Sequence, residues 1–220
     1  DYVFFTRSGY TGTQEYSPVS WPGDQNTDWS LLDGIPSILP SALALGISGQ
    51  PVFGHDIAGY TTIPGAKNTD QDLFVRWTEL GAFSPIMKTH HVNEAGQNWS
   101  FDRDRTTLEQ YKFFANVHTA LFPYLYGLAR EASESGHPIM RHLVLHYPGE
   151  TESVSIEDEF LLGPDLLVAP VLTPGTSSRI VYFPKGRWID FWGLYLGNPD
   201  PTVYVGPARH EVPATRIPVF

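Results

Sequence analysis

The chain has no cysteine. A disulfide frame, a thiolate nucleophile and a Cys-ligated metal are therefore excluded, which suits a reducing cytoplasm, the compartment expected here, without demanding it. No apolar run reaches the roughly 18 to 20 residues of a membrane-spanning helix. No N-terminal stretch carries the charged, apolar and small-residue zones of a secretory leader, although a chain that opens at Asp1 rather than at methionine gives that absence no weight. Positive charge is scarce as well. Fourteen Lys and Arg stand against 24 Asp and Glu, a formal net charge of −10 with no basic run. Such a field repels phosphate backbones, so nucleic acid is not expected as a partner, and without a spanning run neither is a membrane.

What the chain does have is an aromatic share of 14%, 20 glycines, 19 prolines and only 17% charged residues, the composition of a folded protein rich in turns. Its 220 residues can bury one full core, or part of a larger core plus a small second domain. The first part alternates short β-like runs with helical stretches, the pattern of α/β units on a parallel sheet. YVFFTRSG reads as a strand entering a loop, and a second short strand falls near Val19 to Trp21. A helix then follows within Asp28 to Gly46, with Asp33 as its cap and Gly46 as its stop. SGQPVFGHDIAGY is a strand running into a Gly-rich loop, followed by an amphipathic helix over about Asp70 to Leu80. GAFSPIMKTHH repeats the theme, and Thr106 to about Ser135 is a long helical segment that Pro123 should kink or restart.

From His137 the texture changes to short runs such as DLLVAPVL, RIVYFP, RWIDFW and TVYVG between Pro, Gly, Ser and Asn, an all-β pattern. A boundary is expected near Gly136, giving domains 1–136 and 137–220. The early segment supplies about four strand-to-helix units, half of what closes an eight-stranded barrel. The expected fold is thus α/β: the C-terminal half of a (β/α)8 barrel followed by a β-sandwich. Half a barrel leaves open strand edges and an exposed apolar interior, so the upstream part of the barrel is an expected partner.

Ionisable residues gather at the C-terminal ends of the proposed strands: Arg7, Asp24 in WPGDQ, His55 and Asp56 in GHDIAGY, and His90 and His91 in KTHH. In a parallel barrel these ends share one rim, where groups distant in sequence converge. One carboxylate per loop, flanked by Gly and aromatics, is what a sugar site uses: carboxylates exchange protons or bind hydroxyls, Arg and His hydrogen-bond, and aromatic faces pack on the ring. Each residue alone has an ordinary reading too. Asp24 follows Gly23 as a turn aspartate would, Arg7 could pair a buried carboxylate, and Asp56 could cap a loop or helix. Neither the His–His nor the His–Asp pair has the i, i+4 spacing that puts two ligands on one helix face, so no metal and no cofactor is expected. Asn98, Trp99 and Ser100 form a glycosylation sequon, a pattern that arises often by chance. Trp77 and Phe83 read as core, and Trp188 and Trp192 as sandwich packing.

At these residues the chain resembles glycoside hydrolase family 31, and the likeness runs through nearly its whole length. FTRSGY resembles the fifth-strand segment, whose Arg, here Arg7, contacts the sugar in the minus-one subsite. WPGDQ resembles the W-x-G-D-N/Q segment, in which Asp24 would be the general acid/base and Trp21 would line the site, with Gln25 beside it. HDIAGY resembles the segment whose Asp, here Asp56, binds sugar hydroxyls, and FSPIMKTHH the segment ending in a sugar-binding His, here His90, with His91 in support. LLGPDLLVAPVL resembles the first strands of the family's proximal β-sandwich. The resemblance implies a retaining α-glycosidase that works by double displacement, with its nucleophilic Asp on the fourth barrel strand, upstream of residue 1. The isolated chain is then expected to lack hydrolytic activity.

Gln25 stands where α-glucosidases of the family often carry Asn, Tyr60 replaces their usual Phe, and RSGYTGTQEYSPVSWPGDQNTDW as a whole is similar to the sulfoquinovosidase branch. There the Tyr at the position of Tyr60 helps bind a sulfonate, and a phenol can donate to an anionic oxygen where Phe cannot. The expected substrate is therefore a small α-glycoside bearing a sulfonate, ahead of the α-glucosidase and α-xylosidase alternatives. The rivals from another class are a non-catalytic carbohydrate-binding module and a subunit that completes its barrel with another polypeptide.

Overall fold

The computed structural model describes residues 4–65, 67–90, 93–94 and 96–220. Four strands, β1 (Phe5–Thr6), β2 (Val19–Ser20), β3 (Val52–Ile57) and β4 (Ile86–Thr89), lie side by side in chain order, every pair parallel. Helices α1 (Ile35–Ile47), α2 (Gln71–Ala82) and α3 (Arg105–Ala120) cover one face of this sheet. This is the C-terminal half of a (β/α)8 barrel. Between β1 and β2 there is no α-helix, only a 3-10 turn at Thr13–Glu15. The intervening RSGYTGTQEYSP has no apolar 3.6-residue period, so the expected fourth helix has nothing to bury.

Local chemistry explains the helix ends. Asp70 caps α2 by accepting from the Leu73 amide at 2.9 Å, and Asp104 caps α3 by accepting from Thr107 at 2.7 Å. The start of α1 departs from expectation. Gly34, not Asp33, is its N-cap, because a Cβ there would lie 2.4 Å from the Asp28 carbonyl. Gly46 does not stop α1 either. It lies inside the helix and leaves room for Pro138, which a Cβ would meet at 2.9 Å. Pro123 restarts the long helical segment as α4 (Phe122–Ser135), after a break at Leu121.

Beyond α4, strands β5 (Met140–Arg141), β6 (Phe160–Leu162) and β7 (Leu166–Val168) form one antiparallel sheet, and β8 (Ser178–Ile189) and β9 (Val203–Pro213) another. The first of these sheets is buried on both sides. Phe160, Leu162 and Val168 join the core of the barrel helices, while Leu161 and Leu167 join Val181, Phe183, Trp188 and Phe220 in the sandwich core. Strand residues alternate between faces, and apolar side chains at every position let one strand serve two cores. Burying one such Phe or Leu contributes about 1.5–3 kcal/mol.

The tail is not wholly β. Trp192 sits on a short helix, α5 (Phe191–Tyr195), and packs edge-on against Phe83 and Phe114 of the barrel half, with its indole donating to the Ile217 carbonyl at 2.6 Å. Asp190 caps that turn through the amides of Trp192 and Gly193, which converts the expected strand into a helix. Trp188 stays in the sandwich core, and Trp77 and Phe83 are fully buried, as expected. Arg76 of α2 ties the two parts together by pairing Asp72 and Glu79 and donating to the Thr176 carbonyl.

Glu159 precedes β6 and is buried at 1% exposure. Its Oε1 accepts from the Tyr182 amide at 2.9 Å, whereas Oε2 has no partner. Burial pushes its carboxyl up to about 8, against the lowering effects of the Tyr182 hydrogen bond and the Arg179 charge. An unfolded Glu releases its proton near the ordinary 4.5. The native chain therefore holds a proton that the unfolded chain has lost, and this contribution to stability disappears as pH rises through the folded value. Glu159→Gln should accordingly gain stability relative to the parent between about pH 5 and about pH 8. Thermal unfolding midpoints of both proteins at the two pH values check this, and a difference that does not change with pH would refute it.

Candidate active site

The loops that leave the C-terminal ends of β2, β3 and β4 are laced together by main-chain hydrogen bonds. The Gln25 carbonyl accepts from the amides of Tyr60 at 2.8 Å and Thr61 at 2.9 Å, Thr27 N donates to the Thr61 carbonyl at 3.0 Å, and Asn93 N donates to the Tyr60 carbonyl at 3.1 Å. The β3 loop makes this approach through left-handed backbone at Ala58 (φ 73°) and Gly59 (φ 76°). A Cβ on Gly59 would meet the Asn26 carbonyl at 2.5 Å, so only glycine fits there. Ala58 pays the usual strain of a non-glycine residue in that region, of the kind found at ligand sites.

This lacing brings the expected residues into one connected set. Arg7 Nη1 lies 3.5 Å from Asp24 Oδ2, both side chains reaching solvent. The Arg7 guanidinium also stands 5.5 Å from the Trp21 ring. The Trp21 indole donates to Asp56 Oδ2 at 3.1 Å, and His90 Nδ1 faces the same oxygen at 3.5 Å. Tyr60 packs on the His90 ring with centroids 4.5 Å apart. The chain of contacts thus runs Asp24, Arg7, Trp21, Asp56, His90, Tyr60. His91 lies outside the described residues.

Two of the expected sugar contacts sit below the surface. Gln25 is buried, and its side-chain oxygen has no hydrogen-bond partner. Asp56 is fully buried too. His55, its neighbour on β3, points the opposite way, into the helix layer. There His55 Nδ1 accepts from the Trp77 indole at 3.0 Å, and Nε2 lies 3.0 Å from the Ser84 hydroxyl. Burial, and then the nearby Lys88 charge, lower its pKa to about 3, so it is a neutral core histidine. Among the described residues no three His, Asp or Glu side chains converge as metal ligands would.

Sequence reasoning passed over two residues. Lys88 stands opposite Asp56 in the β3–β4 register and pairs with Asp56 Oδ1, its ammonium 5.2 Å from the Trp21 ring. Its place in KTHH, two residues before His90 and so on the same face of a strand, was the available signal. Asp33, expected as a cap, instead belongs to the acidic surroundings of Asp24. Its carboxyl is raised by partial burial, next by Asp28 and also by Asp24, with Arg7 acting against them. The sequon proves structural: Asn98 is buried, accepts from the Thr69 amide at 2.7 Å and donates to Thr62 Oγ1 and the Glu94 carbonyl.

Residues 1–128 match the TIM-barrel domain of the glycosyl hydrolases family 31, and residues 136–220 match the C-terminal domain of that family. The chain is 42% identical over 190 residues to the sulfoquinovosidase of Escherichia coli strain K12, covering 86% of this chain and 28% of that protein. It is 39% identical over 204 residues to the sulfoquinovosidase of Agrobacterium fabrum, covering 91% and 31%. Among solved structures it superimposes on a sulfoquinovosidase of the same family from E. rectale, in complex with an aza-sugar inhibitor, with a TM-score of 0.92 and 33% identity over 100% of this chain and 32% of that one. The chain therefore spans less than a third of the length of these relatives.

Gly23 makes the Arg7–Asp24 contact possible. It has φ 107°, and a Cβ there would stand 2.8 Å from Arg7 Nε. Gly23→Ala should lower stability by about 1–3 kcal/mol through backbone strain and push the guanidinium off Asp24 and Trp21. Thermal unfolding and a crystal structure of the variant check this, and an unmoved Arg7 would contradict it.

Proposed function

The chain belongs to glycoside hydrolase family 31, and from that premise we propose that it supplies the acid/base half of a retaining α-glycoside hydrolase acting on α-sulfoquinovosides. The observation that carries the reading is the unbroken contact set from Asp24 through Arg7, Trp21, Asp56 and His90 to Tyr60. A carboxylate within reach of solvent, a guanidinium, an indole and an imidazole on one rim suit a pyranose with Asp24 beside the bond to be broken. In this proposal Asp24 first protonates the leaving oxygen. A carboxylate nucleophile from upstream, about 5 to 5.5 Å away in a retaining site, forms the glycosyl-enzyme. Asp24 then deprotonates the attacking water. Arg7, Trp21, Tyr60 and His90 make the sugar contacts, and Gln25 and Asp56 support them from beneath. No cofactor enters this mechanism.

The need for the upstream strands is part of the same proposal. Phe5 of β1 and Phe4 just before it stand exposed, and the outer edge of β1 has no strand partner among the described residues. A barrel interior in that condition calls for further strands. We also take Gly136, the left-handed residue that ends α4, as the division between barrel and sandwich, and the isolated chain as inactive.

Sulfoquinovoside is preferred to glucoside or xyloside because Tyr60 puts a phenol on the rim, packed against His90, and because the relatives described above are named sulfoquinovosidases. Assayed as the complete protein, turnover should favour aryl α-sulfoquinovoside over aryl α-glucoside. Tyr60→Phe should shrink that preference by about 10-fold, the scale of one hydrogen bond to a charged group. Equal turnover of both substrates would support the α-glucosidase alternative, and binding without turnover the carbohydrate-binding module. Asp24→Asn should cost about 10²- to 10⁴-fold on substrates with poor leaving groups and spare the first step on activated aryl glycosides. Equal loss on both would remove Asp24 from the acid/base role.

A further inference from the structure

Asp56 has no solvent-exposed surface, yet three groups converge on its carboxylate: Lys88 on Oδ1, and on Oδ2 the Trp21 indole at 3.1 Å and His90 Nδ1 at 3.5 Å. A carboxylate offers about four lone-pair sites, and here three are directed at groups of the rim itself. The Lys88 ammonium also lies 5.5 Å from the Phe5 ring and 5.2 Å from the Trp21 ring, so aromatic faces screen the pair from water on that side. Because β3 and β4 run parallel with Asp56 directly opposite Lys88, the two charges meet through the sheet register.

We propose that Asp56 and Lys88 act as one positioning unit for the sugar site, rather than Asp56 binding a hydroxyl itself. Lys88 balances the buried carboxylate. The carboxylate in turn aims the Trp21 indole and sets the tautomer of His90. With Nδ1 turned to the carboxylate, the ring proton sits on Nδ1, leaving Nε2 as an acceptor for a sugar hydroxyl. Tyr60, packed on the imidazole, limits its rotation. The inference rests on the sugar-site reading above and departs from the role that family resemblance gives Asp56.

The test is a double-mutant cycle in the complete enzyme, read as kcat/KM on an aryl α-glycoside that the parent turns over. Turnover by the parent tests the broader reading separately. Asp56→Asn keeps an oxygen for the indole but strands the Lys88 charge, and Lys88→Met strands the Asp56 charge, so each alone should cost activity. Combining them removes both stranded charges and should recover about 10-fold over Asp56→Asn, a coupling typical of contacting residues. If Asp56 touches the sugar, removing Lys88 restores nothing, and a double variant no better than Asp56→Asn overturns the proposal. A second measurement does not depend on the variants folding. In the parent protein labelled with ¹⁵N-histidine, NMR should show the His90 proton on Nδ1 with Nε2 free of one, and a proton on Nε2 would overturn the assignment.

Discussion

A carboxylate cut off from water must have its charge answered, and at Asp56 that requirement organises the rim of the barrel. Leaving such a charge unpaired costs several kcal/mol, which is about as much as a domain's whole margin of stability can bear. The answer comes from the neighbouring strand, where the parallel register sets Lys88 opposite Asp56. Because side chains alternate across a strand, a shift of one residue would send Lys88 to the opposite face, toward the helix layer. His55 shows what that layer does to an ionisable group. One position from Asp56, between Trp77 and Ser84, it is neutral and plays a packing role.

The loops above the strands show a second kind of constraint. Asp24, Tyr60 and Asn93 belong to three different loops, and main-chain bonds through Gln25 and Tyr60 hold those loops in register above the sheet. Hydrogen bonds between backbones do not depend on which side chains the rim carries. A rim built this way can exchange its side chains while its shape persists. Beneath it, the β5–β7 sheet buries both faces and joins the barrel helices to the sandwich, and Trp192 completes that junction from the sandwich side. The sandwich thus steadies α2 and α3, which pack behind β3 and β4.

Much of this could be read along the chain, because it rests on local chemistry. The caps at Asp70 and Asp104, the restart at Pro123 and the turn from α/β to β texture after Gly136 all follow from a few neighbouring residues. Misreadings arose where packing or a cap overrode the local pattern. Gly46 resembles a helix stop but makes way for Pro138, and Asp33 resembles a cap but loses that place to Gly34, which must clear Asp28. RWIDFW resembles a strand throughout, yet Asp190 turns its end into a helix whose indole is wanted by the barrel core.

For the candidate site, the order and type of residues at the strand ends, Arg7, Asp24, Asp56 and His90, were enough to identify the family, since motif spacing survives without coordinates. Which of these residues are buried and which pair with one another was decided only in three dimensions. Burial of Asp56 and Gln25, the pairing of Lys88 and the packing of Tyr60 on His90 depend on strand register and loop-to-loop bonding. These are relations between segments some 30 residues apart, and no window of local sequence contains both partners. The sequence by itself determined which chemical groups are present and on which elements they ride. The tertiary structure decided which of them meet solvent and which meet one another.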